Sequence, residues 1–345
     1  MKIQKRAVAM ILTLVCVLSM FSLLASAVDQ ITESETVISV RNEPYEYPVY
    51  RGSEEWFALS PEERISAFRV PDDIINAMST PALLETVISN PFFAHIYAYD
   101  TIIDGYDIVK GYVDGLQELV NRPDFETTLN SYASNPATVC NNLNSADTVL
   151  PYIGTRLSAL QCFTSSAQTL MSNPYVATGI GTLYYFSTPN GTSVPVYYNR
   201  TYSYYQIDTF QAQAVFEDMV ADHPSATIIR NIASNSSVCT ASYNCHSYAW
   251  YSTSATNKYW MDDPSAYIND GSFEESYAAA GRIVTWRRNG SYNHHSGIIE
   301  QAASGSQMSI VISKWSQYGL VMHDLTDCPY SADYTGISIN AWTEA

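Results

Sequence analysis

The sequence predicts an α+β fold, in which a region of short helices precedes an antiparallel sheet with one helix packed on it. The first part, residues 28–175, repeats helix start signals and proline breaks. The second part, residues 176–345, contains aromatic and β-branched runs separated by turn residues. We therefore expect two domains, a helical one over 28–175 and a sheet-containing one over 176–345 that begins with a β-hairpin.

Helix start signals recur in the first part of the chain. Ser60 is a capping residue, Pro61 suits the first turn, and the two glutamates that follow suit the positive end of the helix dipole. Similar signals stand at residues 70–73 and 79–81, and each should begin a short helix. Further helices are expected at residues 92–99, 108–120 and 124–132.

Strand signals dominate after residue 176. Asn190-Gly191 separates two β-prone runs, residues 182–186 and 194–198, and Asn-Gly is a strong hairpin signal. An amphipathic helix is expected at 208–219 and a polar loop at 224–237. Later strands are expected at residues 281–286, 295–300, 308–315 and 319–323.

The first 27 residues have the pattern of a secretory signal peptide. Three cationic residues precede an apolar run over residues 7–24, and a small-x-small site follows at residues 25–27. We expect cleavage after Ala27 and a secreted, extracellular bacterial protein without a membrane anchor.

Charge and cysteine content narrow the classes of function. The formal net charge is −17, so a nucleic-acid partner would be repelled. Five cysteines follow the signal segment, and an odd number leaves at least one outside any pair within the chain. We expect Cys245 to be the unpaired cysteine, because it is the candidate nucleophile. The pairing of the other four stays open. Those others are Cys140, Cys162, Cys239 and Cys328.

Cys245 and His295 have the chemistry of a thiol nucleophile and its base. Only a thiolate attacks a carbonyl, and a position at the start of a helix, capped by Ser242 or Asn244, lowers the pKa of a thiol. A histidine within reach accepts the proton and returns it to the leaving amine. Because strand side chains alternate, only one of His294 and His295 can face the thiol.

Four successive motifs extend this pattern. They are Asn244-Cys245-x-x-Tyr248-Ala249, Gly281-x-Ile283-Val284-x-Trp286, His295-Ser296-Gly297-Ile298-Ile299, and Trp315 closing a strand. Over about residues 239–330 their order and spacing resemble CHAP domains, which are papain-like cysteine amidases and endopeptidases close to the NlpC/P60 group. The resemblance implies a papain-like fold with Cys245 as nucleophile, His295 as base and Asn244 as an amide near the oxyanion.

The third catalytic position and the substrate contacts complete the expected site. The carboxylate or amide that such families place just before the strand tryptophan is replaced here by Ile312-Ser313-Lys314. Ser313 is the nearest candidate for the third catalytic position, with Glu300 and Gln301 behind it. His246 follows the nucleophile by one helix position and is expected at the substrate edge. Trp260 and Trp315 are also predicted to contact substrate.

Together, the residues and the resemblance predict a secreted cysteine hydrolase. It would cleave amide bonds through a Cys245 thioester, and the resemblance implies the peptide part of peptidoglycan, or another cell-wall protein, as substrate. A non-catalytic binding module on the same fold and an acyltransferase stay open. We expect no cofactor or metal, because a zinc site from His246, His294 and His295 would place adjacent ligands on opposite strand faces.

Overall fold

The structure is a computed structural model, which describes residues 40–99, 101–135, 149–164, 180–201, 209–229, 239–288, 292–331 and 337–345. The predicted signal segment with its cleavage after Ala27 lies outside these residues. So do Cys140 and the domain boundary expected between residues 175 and 176.

Short helices occupy most of residues 54–161, called the helical region below. Ser60 Oγ accepts the backbone N–H of Glu63, and the Glu63 carboxylate accepts the N–H of Ser60, so a capping box begins the second helix as its sequence predicts. The α-helices are α1 Glu54–Ala58, α2 Pro61–Ala67, α3 Asp72–Ala77, α4 Thr80–Ser89, α5 Ile102–Val109, α6 Leu116–Asn121, α7 Phe125–Ser134 and α8 Ile153–Gln161. Two 3₁₀ helices span Pro91–Tyr97 and Leu150–Tyr152.

The prediction of a single helix over residues 108–120 is wrong, because a non-helical segment separates α5 from α6. Gly115, directly before α6, has a φ of 80°, which is left-handed and interrupts a helix. A Cβ at this position would lie 2.6 Å from Leu83 Cδ1. The break thus lets α6 approach α4 closely, a tertiary requirement that apolar spacing does not reveal.

The described residues of the second half form two antiparallel sheets. A three-stranded sheet has the order β1-β2-β4, and a seven-stranded sheet has the order β3-β9-β8-β7-β6-β10-β5. The strands are β1 Ile180–Ser187, β2 Ser193–Thr201, β3 Thr227–Ile229, β4 Tyr259–Trp260, β5 Phe273–Ser276, β6 Ile283–Arg288, β7 Tyr292–Gln301, β8 Ile310–Lys314, β9 Leu320–Asp324 and β10 Ile337–Glu344. The predicted hairpin and the four later strands are confirmed, and so is the α+β class.

Three strands of the large sheet, β3, β5 and β10, were not predicted. β3 lies in the segment expected to be a loop, and it pairs with β9 at one edge of the sheet. β10 pairs with both β6 and β5. Such pairings depend on a distant strand being in place, and a three-residue strand such as β3 has too few residues to show alternation.

The large sheet is covered on both faces. Val284, Trp286 and Ile299 belong to one buried cluster with the helical region. Ile283 belongs to a second cluster, in which it packs with Trp250. Trp250 ends α10 (Cys245–Trp250), one of three α-helices among the described residues of this half; the others are α9 Thr209–Ala221 and α11 Ser265–Asn269. Helix α10 therefore packs on the face opposite to the helical region, and residues 41–345 form one compact unit.

A buried ionic cluster joins the helical region to α9. Arg156 Nε lies 2.8 Å from Asp218 Oδ2, and Arg51 Nη1 lies 2.7 Å from Asp218 Oδ1 and 2.8 Å from Asp222 Oδ1. Arg156 also donates to the carbonyl oxygens of Ile88, Asn90 and Pro91. Because these groups are almost completely shielded from solvent, each charge depends on its partners.

Candidate functional site

Asn244 and Cys245 begin helix α10, as the sequence predicts. Of the two possible caps, Asn244 is the N-cap: its Oδ1 accepts the N–H groups of Ser247, at 3.1 Å, and Met261, at 3.2 Å. Its Nδ2 donates to the carbonyl oxygen of Met261 at 2.7 Å. Asn244 therefore fixes the helix start against the segment at Met261 and holds Cys245 in the first helical position.

Cys245 lines a cleft of about 300 Å³ between the two halves of the chain. From the second half of the chain, His246, His294 and Tyr330 line the same cleft. The helical region contributes Ala98, Tyr99, Asp104, Asp107 and Ile108, and the remaining lining residues are Asp262, Arg288 and Ser316. The thiol thus shares a ligand-sized space with two imidazoles and with charged side chains.

Two hydrogen bonds hold the helical region at the edge of the cleft. Tyr330 donates its hydroxyl to the carbonyl oxygen of Ala98 at 2.6 Å, and Ser316 Oγ donates to the carbonyl oxygen of Tyr99 at 3.0 Å. The wall formed by α5 was not foreseen from the sequence. It lies about 140 positions from Cys245 in the chain, and no local pattern marks its acidic residues as different from other exposed acids.

His294 and His295 occupy different environments. His294 is half-buried and lines the cleft with Cys245. His295 is fully buried, and its ring stacks on Tyr330 with centroids 3.4 Å apart. Neither ring nitrogen of His295 has a hydrogen-bond partner among the described residues, and burial lowers the pKa of the ring well below its ordinary value.

The choice between the two histidines depends on which face of the sheet α10 covers. Ser296 forms hydrogen bonds with His246 and Trp250 of α10, so it faces that helix. His295 precedes Ser296 by one position and pairs with Trp286, whose side chain packs on the other face. Of the two adjacent histidines, His294 lines the cleft and His295 does not, so the choice of His295 as base stays a prediction.

Ser313, the candidate for the third catalytic position, contacts a different histidine. Its Oγ lies 2.8 Å from His323 Nε2 and accepts the indole N–H of Trp315 at 3.1 Å. His323 Nδ1 lies 2.8 Å from the carbonyl oxygen of Asp324, so it donates there, and Ser313 donates to Nε2. Ser313 therefore orients His323 within the sheet and forms no hydrogen bond with His295.

The two tryptophans proposed as substrate contacts are enclosed by protein. Trp260 and Trp315 are both almost completely buried, and neither lines the cleft. Trp315 packs on Phe216 and His223. Trp315 belongs to the buried cluster that the large sheet forms with the helical region, and the residue type alone gave no means of distinguishing a core ring from a binding ring.

Four buried histidines make the stability of the fold depend on pH. Burial lowers the pKa of His95, His223 and His295, and lowers that of His323 to about 4. As the pH falls below the ordinary histidine value of 6.5, the unfolded chain takes up these protons first, so the free energy of unfolding decreases. Burial also raises the pKa of Asp222 to about 7 and raises the pKa values of Asp114 and Asp324. These carboxyl groups act in the opposite direction, but they are fewer than the four histidines.

We therefore expect the free energy of unfolding to fall between about pH 6.5 and pH 4, with a smaller fall in a His323→Gln variant. His323 alone should contribute about 3 kcal/mol to the difference, since one pKa unit corresponds to about 1.4 kcal/mol. Urea unfolding followed by circular dichroism at several pH values measures this. Equal slopes in the two proteins would show that His323 does not resist protonation.

Three further features were searched for among the described residues: disulfide bonds, clusters of metal ligands and helices able to span a membrane. The structure contains no disulfide bond among the cysteines it describes, which are residues 162, 239, 245 and 328. Within the same ranges, no group of three or more His, Cys, Asp or Glu side chains is arranged to hold a metal ion. None of the described helices combines the length and apolar character needed to cross a bilayer.

Comparisons of the chain with protein-family models, with curated proteins and with solved structures found no match. We therefore infer the function from the chemistry of the cleft and from the order of the motifs in residues 239–330.

Proposed function

We propose that this chain is a cysteine hydrolase that cleaves amide bonds, with Cys245 as the nucleophile. The observation that carries the proposal is the position of Cys245 as the first residue of α10, in a cleft that also contains two imidazoles. A thiolate attacks the carbonyl carbon, the amine leaves with a proton from the base, and water hydrolyses the thioester. The packing of α10 on an antiparallel sheet supports the papain-like arrangement that the motifs imply.

Within this proposal, His294 is the better candidate for the base. It lines the cleft, whereas His295 is enclosed between Tyr330 and Trp286. The assignment of His295 from the motif stays a prediction, and the adjacent pair offers a matched test. Either imidazole would take the thiol proton and return it to the leaving amine.

Peptide substrates suit the charges of the cleft. Asp104, Asp107 and Asp262 line it together with Arg288, so both the ammonium and the carboxylate groups of a peptide have oppositely charged neighbours. The peptide part of peptidoglycan carries both kinds of group, and the CHAP resemblance favours it. A secreted protein with cleavage after Ala27 would meet this substrate outside the cell.

A non-catalytic binding module is the second candidate. The observation that favours it is the commitment of Ser313 to His323, which leaves the third position of the motif without its expected role. This candidate predicts a cleft that binds cell-wall peptides without cleaving them.

Alkylation with iodoacetamide across a range of pH, with mapping of the modified cysteine, tests the catalytic proposal. We expect Cys245 to react faster than a model thiol at neutral pH, and His294→Ala to remove this advantage while His295→Ala retains it in protein that remains folded. General-base removal should also slow digestion of purified peptidoglycan by about 10²–10⁴-fold, and Cys245→Ala should abolish it. A Cys245 no more reactive than a model thiol would contradict the proposal.

The two histidine variants also decide between the candidate bases. If His295→Ala, and not His294→Ala, removes the rapid labelling, the base is the residue that the motif predicts. If the wild type and Cys245→Ala bind peptidoglycan equally and neither releases new amino groups, the protein is a binding module.

A further inference from the structure

A chain of three side chains fixes the orientation of His246 beside the nucleophile. Trp250 Nε1 lies 3.0 Å from Ser296 Oγ, and Ser296 Oγ lies 2.8 Å from His246 Nδ1. His246 and Trp250 both lie on α10, and Ser296 lies on β7 beneath it. The hydroxyl is therefore the point at which the sheet holds the helix that carries Cys245.

The donors and acceptors in this chain can be assigned. An indole nitrogen only donates, so Ser296 Oγ accepts from Trp250. Ser296 is fully buried, and among the described residues its hydroxyl hydrogen has no acceptor other than His246 Nδ1. Since a buried hydroxyl left without an acceptor is costly, Ser296 donates to Nδ1. A neutral imidazole whose Nδ1 accepts carries its hydrogen on Nε2.

A second tryptophan–serine–histidine hydrogen-bond chain in the sheet ends at His323, but there the serine bonds the other ring nitrogen. Trp315 donates to Ser313, and Ser313 donates to His323 Nε2, while His323 Nδ1 donates to a backbone carbonyl. Both nitrogens of His323 thus have partners inside the fold. His246 lies elsewhere, since it lines the cleft together with Cys245.

We infer that His246 is a catalytic group that donates its Nε2–H to the oxyanion formed when Cys245 attacks a carbonyl. The inference rests on the proposed function and assigns Ser296 and Trp250 as positioning residues. Because Ser296 donates to Nδ1, neutral His246 presents a donor rather than an acceptor at its other nitrogen. The base is then a separate histidine, and substrates must contain a carbonyl that becomes tetrahedral, as amides and esters do.

Two reactions of Cys245 separate this role from activation of the thiol. In acylation by p-nitrophenyl acetate, the sulfur attacks the carbonyl carbon, a negatively charged oxygen forms, and p-nitrophenolate leaves as the thioester is produced. In alkylation by iodoacetamide, the sulfur displaces iodide from a saturated carbon, and no oxyanion forms. The full-length mature chain is used, with Cys245→Ala as the background for the other cysteines.

We expect His246→Ala to slow acylation by about a hundredfold, the cost of losing one oxyanion donor, and to change alkylation little. His246→Gln retains an N–H group and should recover part of the acylation rate. Equal slowing of both reactions would overturn the inference, because His246 would then act on the thiol. A wild-type Cys245 that is alkylated but never acylated would overturn it too, whereas acylation that depends on His246 without peptidoglycan cleavage would count against the proposed substrate alone.

The hydrogen position is tested directly by NMR of protein labelled with nitrogen-15 histidine. We expect an unprotonated Nδ1 and a protonated Nε2 for His246, with the signal assigned by its loss in His246→Gln. Ser296→Ala should remove this preference, whereas Ser313→Ala, the matched deletion, should alter only the signals of His323. A protonated Nδ1 in the neutral wild-type ring would overturn the inference whatever the kinetics show.

Discussion

Replacing Asp218 with alanine should lower the free energy of unfolding by about 3–5 kcal/mol, the usual cost of removing one partner from a buried ion pair. Asp218 binds two buried guanidinium groups, those of Arg51 and Arg156. Without its carboxylate, Arg156 keeps only carbonyl partners, and Arg51 keeps Asp222. The excess positive charge then lies in a region that water does not reach, so the loss should far exceed that of an exposed pair.

Urea unfolding of the variant measures this loss, and Asp107→Ala is the matched control. Asp107 pairs with Lys110 at 2.7 Å, but both side chains are substantially exposed. Exposed pairs of this kind contribute about 0–1 kcal/mol. If both variants lose the same small amount of stability, the buried cluster does not hold α9 to the helical region.

Replacing Gly105 with alanine should destabilise the protein by about 3 kcal/mol or more. An added Cβ would lie 2.0 Å from the carbonyl oxygen of Ile96 and 2.7 Å from its carbonyl carbon. Both are backbone atoms of the neighbouring 3₁₀ helix, so no side-chain rotation relieves the clash. Overpacking usually costs about 1–3 kcal/mol, and a backbone obstacle places this site at or above that limit.

Gly154→Ala provides the control for this prediction. Gly154 lies in α8, and no atom outside its own helix and chain neighbours lies within 4 Å of the added Cβ. Alanine is the better helix former, so this variant should be as stable as the wild type or more stable by up to about 1 kcal/mol. Thermal unfolding of both variants tests the pair. A Gly105→Ala protein as stable as Gly154→Ala would show that α5 does not pack tightly on the 3₁₀ helix.

The consequence of Gly105→Ala should extend to the cleft. Helix α5 carries Asp104 and Asp107, which line the same cleft as Cys245. If α5 moves to admit the methyl group, the rate of Cys245 alkylation in protein that remains folded should change as well, because the cleft loses its wall.

Local signals were sufficient for much of the fold. Ser60 and Pro61 marked a helix start because capping depends on neighbouring residues. Asn190-Gly191 marked a hairpin because the turn requires particular backbone angles. The start of α10 at Cys245 followed in the same way from Asn244. The interruption before α6 could not be predicted from local sequence, because its cause is the close approach of Gly115 to Leu83 on another helix.

In the candidate site, too, some features follow from local sequence and others depend on tertiary contacts. The sequence by itself determined that Cys245 would begin a helix and that one of two adjacent histidines could face it, because capping and strand alternation are local. Only the tertiary structure decided that His294 lines the cleft, that Ser313 serves His323, and that Ser296 orients His246. The face on which α10 packs depends on contacts between residues 46 and 50 positions apart, and no local pattern records that choice.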